Sequence, residues 1–215
     1  MNHKDTKGTK EKNEKFIPDP SKKLPMTGPS ESTVAHTKIF IKTRRLYFRT
    51  WQADDFDLAM DLWGDHKVTR FIVAKGQMSE DEVRCRLLKE IETQEKQGVQ
   101  YWPCFLKSSD SFIGCCGIRP YDLSKKLYEI GFHILSCCWG KGLAVEAARG
   151  VMIHAFGTLK VSGVFAGHHP DNIISPHVLE KLGFQYTHKE FYTPTGLKHP
   201  SYILYREKYL QAAQE

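Results

Sequence analysis

The sequence predicts an α+β domain built on a mixed sheet. Strand-like segments at 100–107, 111–118 and 128–135 follow one another through short turns, which excludes a fully parallel sheet. Segments with a 3.6-residue apolar period interrupt the strands, which excludes an all-α bundle. The chain has 215 residues, 40% hydrophobic and 26% charged, enough for one packed domain with a tail.

The elements follow in order. Residues 39–50 alternate around Leu46 and Phe48 and read as a strand. Asp54 and Asp55 open a short helix with Phe56, Met60 and Trp63 on one stripe. Ser79 and Glu82 form a capping box for a helix that runs to Gly98, with Val83, Leu87 and Ile91 four residues apart. Three strands come next, separated by a turn at 108–110 and a longer loop at 120–126. The clearest helix is 142–159, with stripes Leu143, Ala147, Val151, Ala155 and Ala144, Ala148, Met152, Phe156. A short strand at 161–167 precedes a helix at 174–182 that ends on Gly183. Strands at 184–192 and 201–209 close the chain.

Residues 1–38 read differently. Eight lysines and five acids give them a net +3, half of the chain's +6, with four prolines and no apolar period. Such a segment cannot bury enough surface to offset its ordering entropy, so 1–38 reads as a disordered basic tail and 39–215 as one domain. An arm that touches RNA or ribosome is the alternative reading of the tail. No stretch approaches the roughly 18 apolar residues of a membrane span, and the polar start carries no apolar signal core. Four of the six cysteines form the adjacent pairs Cys115–Cys116 and Cys137–Cys138. Neighbours on a strand point to opposite faces, so neither pair suits a disulfide. Reduced thiols in a cytoplasmic protein are expected. His168 and His169 have no third ligand at a set spacing, so no metal is expected.

The most informative stretch is Trp139-Gly140-Lys141-Gly142-Leu143-Ala144, where a strand ends and a helix begins. Two glycines allow a tight turn, the first helical turn offers unpaired N–H groups and a positive dipole end, and Lys141 adds charge. Together they form a phosphate cradle. The P-loop pattern does not match, and the dinucleotide pattern fails because Val145 takes the third glycine position. Thirty residues on comes a second motif, Asn172-Ile173-Ile174-Ser175 followed by Glu180-Lys181-Leu182-Gly183-Phe184.

The two stretches resemble the pyrophosphate loop and second motif of the GCN5-related N-acetyltransferase (GNAT) superfamily. The Trp-Gly-Lys-Gly form, Glu129-Ile130-Gly131-Phe132 and the opening Thr43-Arg44-Arg45-Leu46-Tyr47-Phe48-Arg49 are similar to the branch that acetylates ribosomal-protein N-termini. The resemblance covers about residues 40 to 209. It implies a mostly antiparallel twisted sheet splayed between its fourth and fifth strands, flanked by about four helices. It implies acetyl transfer from acetyl-coenzyme A to an amine, with no metal. Residues 139–144 and Asn172 would hold the pyrophosphate end. The backbone of His133, Ile134 and Leu135 would pair with the pantetheine arm.

The superfamily often has arginine or glutamine where Trp139 stands; a packing role is the other reading of that ring. Glu129 falls where the superfamily has a strand glutamate, which implies a general base; a glutamate on the solvated face is the alternative. Glu190 is the runner-up. The family's tyrosine acid is missing, because Leu179 occupies its place. Ser175 falls where the ribosomal branch has a serine near the sulfur, and a plain first-turn hydroxyl is its other reading. The acceptor implied is a protein N-terminal amine. A small amine such as a polyamine or aminoglycoside is the alternative, as is a non-catalytic coenzyme-binding or ribosome-binding module. Association with the ribosome fits the basic tail. No membrane or sequence-specific nucleic-acid partner is expected, and the chain reads as a monomer or homodimer.

Overall fold

The computed structural model describes residues 39–212. The expected tail, 1–38, lies outside the described residues. Eight strands form one sheet in the order β1-β2-β3-β4-β5-β6-β8-β7. They are β1 (Ile41–Lys42), β2 (Leu46–Phe48), β3 (Tyr101–Leu106), β4 (Phe112–Asp122), β5 (Leu127–Ile134), β6 (Gly163–Gly167), β7 (Gln185–Tyr192) and β8 (Leu197–Tyr205). All neighbours pair antiparallel except β5 and β6.

The α-helices among the described residues are α1 (Phe56–Trp63), α2 (His66–Thr69), α3 (Glu80–Gln97), α4 (Leu143–Ile153), α5 (Ile174–Lys181) and α6 (Arg206–Ala212). Ser79 caps α3 with the expected box: its N–H donates to Glu82 at 2.7 Å and its hydroxyl accepts from the Glu82 N–H at 3.4 Å. Gly98 ends the same helix at φ 70°. The α4 stripes bury Leu143, Ala147, Ala148, Val151 and Met152 against one face of the sheet, together with Val178 and Leu179 of α5. Helices α1 and α3 cover the other face through Leu62, Trp63, Val83 and Leu87, joined by Trp51 from the segment before α1. Cys115 packs with the α1–α3 side and Cys116 with the α4–α5 side, and all six cysteines are free.

Four segments differ from the sequence reading, each for a tertiary reason. The strand expected at 39–50 breaks into the β1–β2 hairpin, because Glu146 of α4 draws Thr43 and Arg45 out of the ladder. The loop expected at 120–126 is strand as far as Asp122. Pro120 is tolerated there because β3 ends opposite Gly117 and asks no N–H of it. The short α2 was not expected. The last strand ends at Tyr205, where the Arg206 N–H donates to Ser162 and its Nε to Phe156 at 3.0 Å each, turning the chain into α6.

The placement of one gap decides the site. β5 and β6 pair only at Leu127, Tyr128 and Glu129. Beyond Glu129 the two strands part, and β6 continues against β8 as far as Gly167. The splay expected between the fourth and fifth strands is this fork, renumbered by the broken first strand.

Candidate active site

A cleft of about 690 Å³ opens from the fork. One end is built from backbone. Leu135 donates its N–H to Ile113 of β4 at 2.9 Å. Hydrogen-bonded and non-bonded pairs alternate in an antiparallel ladder, so His133 also bonds into β4, while Phe132 and Ile134 turn their backbone groups to the gap. Of the three residues expected to pair with a pantetheine arm, only Ile134 faces the gap through its backbone. Phe132, which the sequence reading passed over, joins it.

The turn after β5 places Gly140 at φ 74° and Gly142 at φ 71°, a left-handed backbone that costs other residues roughly 1–2 kcal/mol each. Gly142 caps α4, and the Glu146 N–H closes the first turn onto its carbonyl at 3.2 Å. The N–H groups before that turn have no partner within the helix, and Leu143, Ala144 and Val145 line the cleft. Glu146 anchors the loop from behind. Its carboxylate accepts from Thr43 at 2.7 Å and from the Arg45 N–H and Nε at 2.7 and 2.6 Å, while Arg45 Nη1 reaches the Lys141 carbonyl at 3.1 Å. Burial works to raise the Glu146 pKa, but these hydrogen bonds outweigh it and hold the group below the ordinary range.

Trp139 is 47% exposed, so it is not a core packing residue. Its indole N–H donates to the Ile134 carbonyl at 2.8 Å and ties the loop to the strand end. Lys141 stands apart from the cleft lining, and its amine donates to the Cys137 carbonyl at 3.0 Å. Asn172 lines the cleft but spends its side-chain oxygen on the N–H groups of Ile174 and Ser175, at 3.2 and 3.1 Å, fixing the first turn of α5. Ser175 lines the cleft from that turn.

The other end is built from side chains. Glu129 sits at the fork, the last residue of β5 to pair with β6, opposite Arg119 on β4. Burial pushes its pKa above the ordinary carboxylate range; Arg119 and Arg86 pull it back, and Glu190 adds to the rise. Glu190 lines the same end, where the Tyr121 hydroxyl donates to it at 3.0 Å. Burial and that carboxylate push the Tyr121 phenol up to about 12. Tyr192 also lines this end, its pKa raised by burial and by Glu129.

His133 is half-buried and held well below its ordinary pKa, first by desolvation and then by Arg86 and Arg119. The Trp63 indole, which can only donate, bonds its Nδ1 at 3.1 Å, so neutral His133 carries its proton on Nε2. Tyr101 lies across the sheet over Gly131; a Cβ at that glycine would come within 2.4 Å of its ring. The Ala74 N–H donates to the Pro194 carbonyl at 3.0 Å, joining the segment after α2 to the β7–β8 turn. Among the described residues, no group of three or more histidine, cysteine or acidic side chains could hold a metal ion, and no helix is long and apolar enough to cross a membrane.

The sequence reading missed Arg86, Glu90 and Arg119. The signal for Glu90 was present: it continues the buried Val83–Leu87 stripe of α3, where an acid is out of place.

Chemically, the backbone end can hold a diphosphate and an extended amide chain. The side-chain end can accept a proton beside it.

Residues 45–185 match the family described as Acetyltransferase (GNAT) domain. A curated relative from Bacillus licheniformis, named uncharacterized N-acetyltransferase p20, is 27% identical over 145 residues, 66% of this chain and 80% of its own length. Among solved structures, a GNAT-family acetyltransferase from Bacillus anthracis shares the fold with a TM-score of 0.67 at 24% identity, covering 79% of this chain and 99% of that one. RimL, a ribosomal L7/L12 alpha-N-protein acetyltransferase in complex with coenzyme A, does so with a TM-score of 0.67 at 14% identity, over 78% of this chain and 98% of that one.

Proposed function

Because the chain belongs to the GNAT acetyltransferase family and is an N-acetyltransferase, we propose that it moves an acetyl group from acetyl-coenzyme A to a primary amine by direct attack, with Glu129 taking the amine's proton. The observation that carries this reading is the position of Glu129, a carboxylate of raised pKa at the fork where the backbone-built and side-chain-built ends of the cleft meet.

The acetyl donor supplies an activated thioester. The chain's residues hold it and manage protons. Gly140, Gly142 and the first turn of α4 receive the pyrophosphate, and the gap-facing backbone of Phe132 and Ile134 receives the extended arm. One N–H directed at a developing oxyanion is worth on the order of 3 kcal/mol in acyl transfer. An amine of pKa near 8 to 10 is mostly protonated at neutral pH, so a base of raised pKa beside it is useful. The amine nitrogen bonds the carbonyl carbon, the carbon–sulfur bond breaks, and the leaving thiolate takes a proton. The Ser175 hydroxyl, on the α5 side of the cleft, is the hydrogen-bond donor we assign to that thiolate, whose proton comes from solvent as Glu129 releases the amine's proton to it. Glu190, held by Tyr121, is the second carboxylate available to the amine or to a water beside it.

For the acceptor we favour the α-amine of a polypeptide. The opening segment 43–49, Glu129-Ile130-Gly131-Phe132 and the Trp-Gly-Lys-Gly form of the loop resemble the ribosomal-protein branch, and RimL, whose name gives it such an acceptor, shares the fold. A polyamine fits less well, because basic residues outnumber acidic ones along the cleft. Six free cysteines suit a reducing compartment, and we place the protein in the cytoplasm. The test is to titrate acetyl-coenzyme A and then screen amines for release of free coenzyme A, with mass spectrometry of the product. Saturable binding followed by acetylated product supports the reading. Absence of binding at high micromolar donor overturns it.

A further inference from the structure

The floor of the acceptor end holds more positive charge than acetyl transfer itself requires. Arg86 of α3 and Arg119 of β4 bond the same atom, Oε1 of Glu90, Arg86 through Nε at 3.1 Å and Arg119 through Nη2. The Glu90 side chain is fully buried, and its other oxygen accepts from the Tyr101 N–H at 2.9 Å. The two arginine side chains are only 15% and 20% exposed.

A guanidinium carries five N–H donors. Among the described residues each of these two spends one on Glu90, and Arg119 Nε is buried with no acceptor. Burying charged donors without partners is costly, and the exposed part of each guanidinium, which lines the cleft, is where an anion can complete them. The groups are held in place: Arg119 lies 4.1 Å over the Tyr101 ring and Arg86 5.2 Å over Trp63. Both line the cleft beside Glu129.

The charge balance sharpens the point. Two guanidiniums face Glu90 and Glu129. When Glu129 takes the amine's proton, it loses its negative charge, and one positive charge on the floor is left without a partner. Glu190 keeps its negative charge at the wall, where it accepts from Tyr121, and among the described residues neither guanidinium bonds it. An anionic group on the acceptor would restore the balance as the proton moves.

We propose that the acceptor carries a carboxylate within a few bonds of its amine, and that Arg86 and Arg119 seat it. The inference rests on the acetyltransferase reading above. Two sources offer this chemistry: a free amino acid, or a polypeptide whose first residue is acidic.

The experiment uses the whole 215-residue chain, acetyl-coenzyme A and isosteric acceptor pairs: free glutamate against glutamine, and peptides beginning with Glu against the same peptides beginning with Gln. Spermidine is the cationic control. The expected result is a preference in kcat/KM for the carboxylate member of at least one pair by on the order of tenfold or more, the range of a charge-assisted hydrogen bond. The pair that shows it identifies the source. Arg119→Lys and Arg86→Gln should shrink that ratio, chiefly through KM for the carboxylate acceptor. The wild-type ratios decide the matter even if a variant does not fold. Turnover without carboxylate preference, or with spermidine preferred, overturns the inference and leaves the transferase reading standing. No turnover of any acceptor by chain that binds acetyl-coenzyme A overturns both.

Discussion

At one end of the cleft a single continuous segment, residues 136–145, supplies two left-handed glycines, a helix terminus and a tryptophan tether. At the other end, side chains arrive from five elements: Arg86 and Glu90 from α3, Tyr101 from β3, Arg119 and Tyr121 from β4, Glu129 from β5, and Glu190 and Tyr192 from β7. The first end depends on local backbone geometry and offers few side chains to replace. The second depends on buried charges that balance one another, so single substitutions there should have large and separable effects. Binding of the acetyl donor and transfer of its acetyl group should therefore respond to different substitutions.

The largest effect expected is on transfer. Glu129→Gln keeps the shape of the fork and removes the base, and turnover should fall by about 10²–10⁴-fold, the usual worth of a positioned base. In the wild type, kcat/KM should decline as pH falls through a midpoint above the ordinary carboxylate range, because Glu129 must be ionised to act. The variant should lack that limb. The same raised pKa means that the native state holds this proton more tightly than the unfolded chain. Its contribution to stability is thus present at low pH and is lost as pH rises through the Glu129 pKa.

Next in size is the charge floor. Glu90→Ala leaves two buried guanidiniums without their shared carboxylate and should destabilise the fold by about 3–5 kcal/mol in denaturant unfolding. A loss below about 1 kcal/mol would show that water reaches and screens the pair. A smaller effect is expected in the loop. At Gly142 an added Cβ has open space, with Arg45 Nη2 at 3.8 Å, so Gly142→Ala carries only the strain of the left-handed backbone, about 1–2 kcal/mol. Taken from donor binding, that weakens acetyl-coenzyme A affinity by on the order of tenfold, while turnover at saturating donor is kept. The smallest effect separates charge from backbone. Lys141→Ala should change donor affinity by less than about threefold, since the Lys141 amine bonds the Cys137 carbonyl outside the cleft. A large loss would return the cradle to side-chain charge.

How much of this was legible in the sequence follows the same division. The glycine turn, the Asn172 motif, the α3 capping box and the α4 stripes are contiguous, and contiguous patterns survive folding. The β1–β2 break was not legible, because its cause is Glu146, about a hundred residues from Thr43. The helical end of the chain was read as strand because the contacts from Arg206 to Ser162 and Phe156 are tertiary. The strand end at 133–135 was found but not its register, so His133 and Leu135 were named where Phe132 and Ile134 face the gap. Glu129 stood out because an acid interrupts an apolar strand. The Arg86–Glu90–Arg119 floor did not, since its three members lie on α3 and β4 and meet only when the helix packs on the sheet.

The independence of the two ends is tested most directly by titrating acetyl-coenzyme A into Glu129→Gln chain whose turnover has been measured alongside. The expected result is a dissociation constant within about threefold of wild type beside turnover reduced at least about a hundredfold. Wild-type turnover in the variant, or loss of donor binding in parallel with turnover, would contradict it.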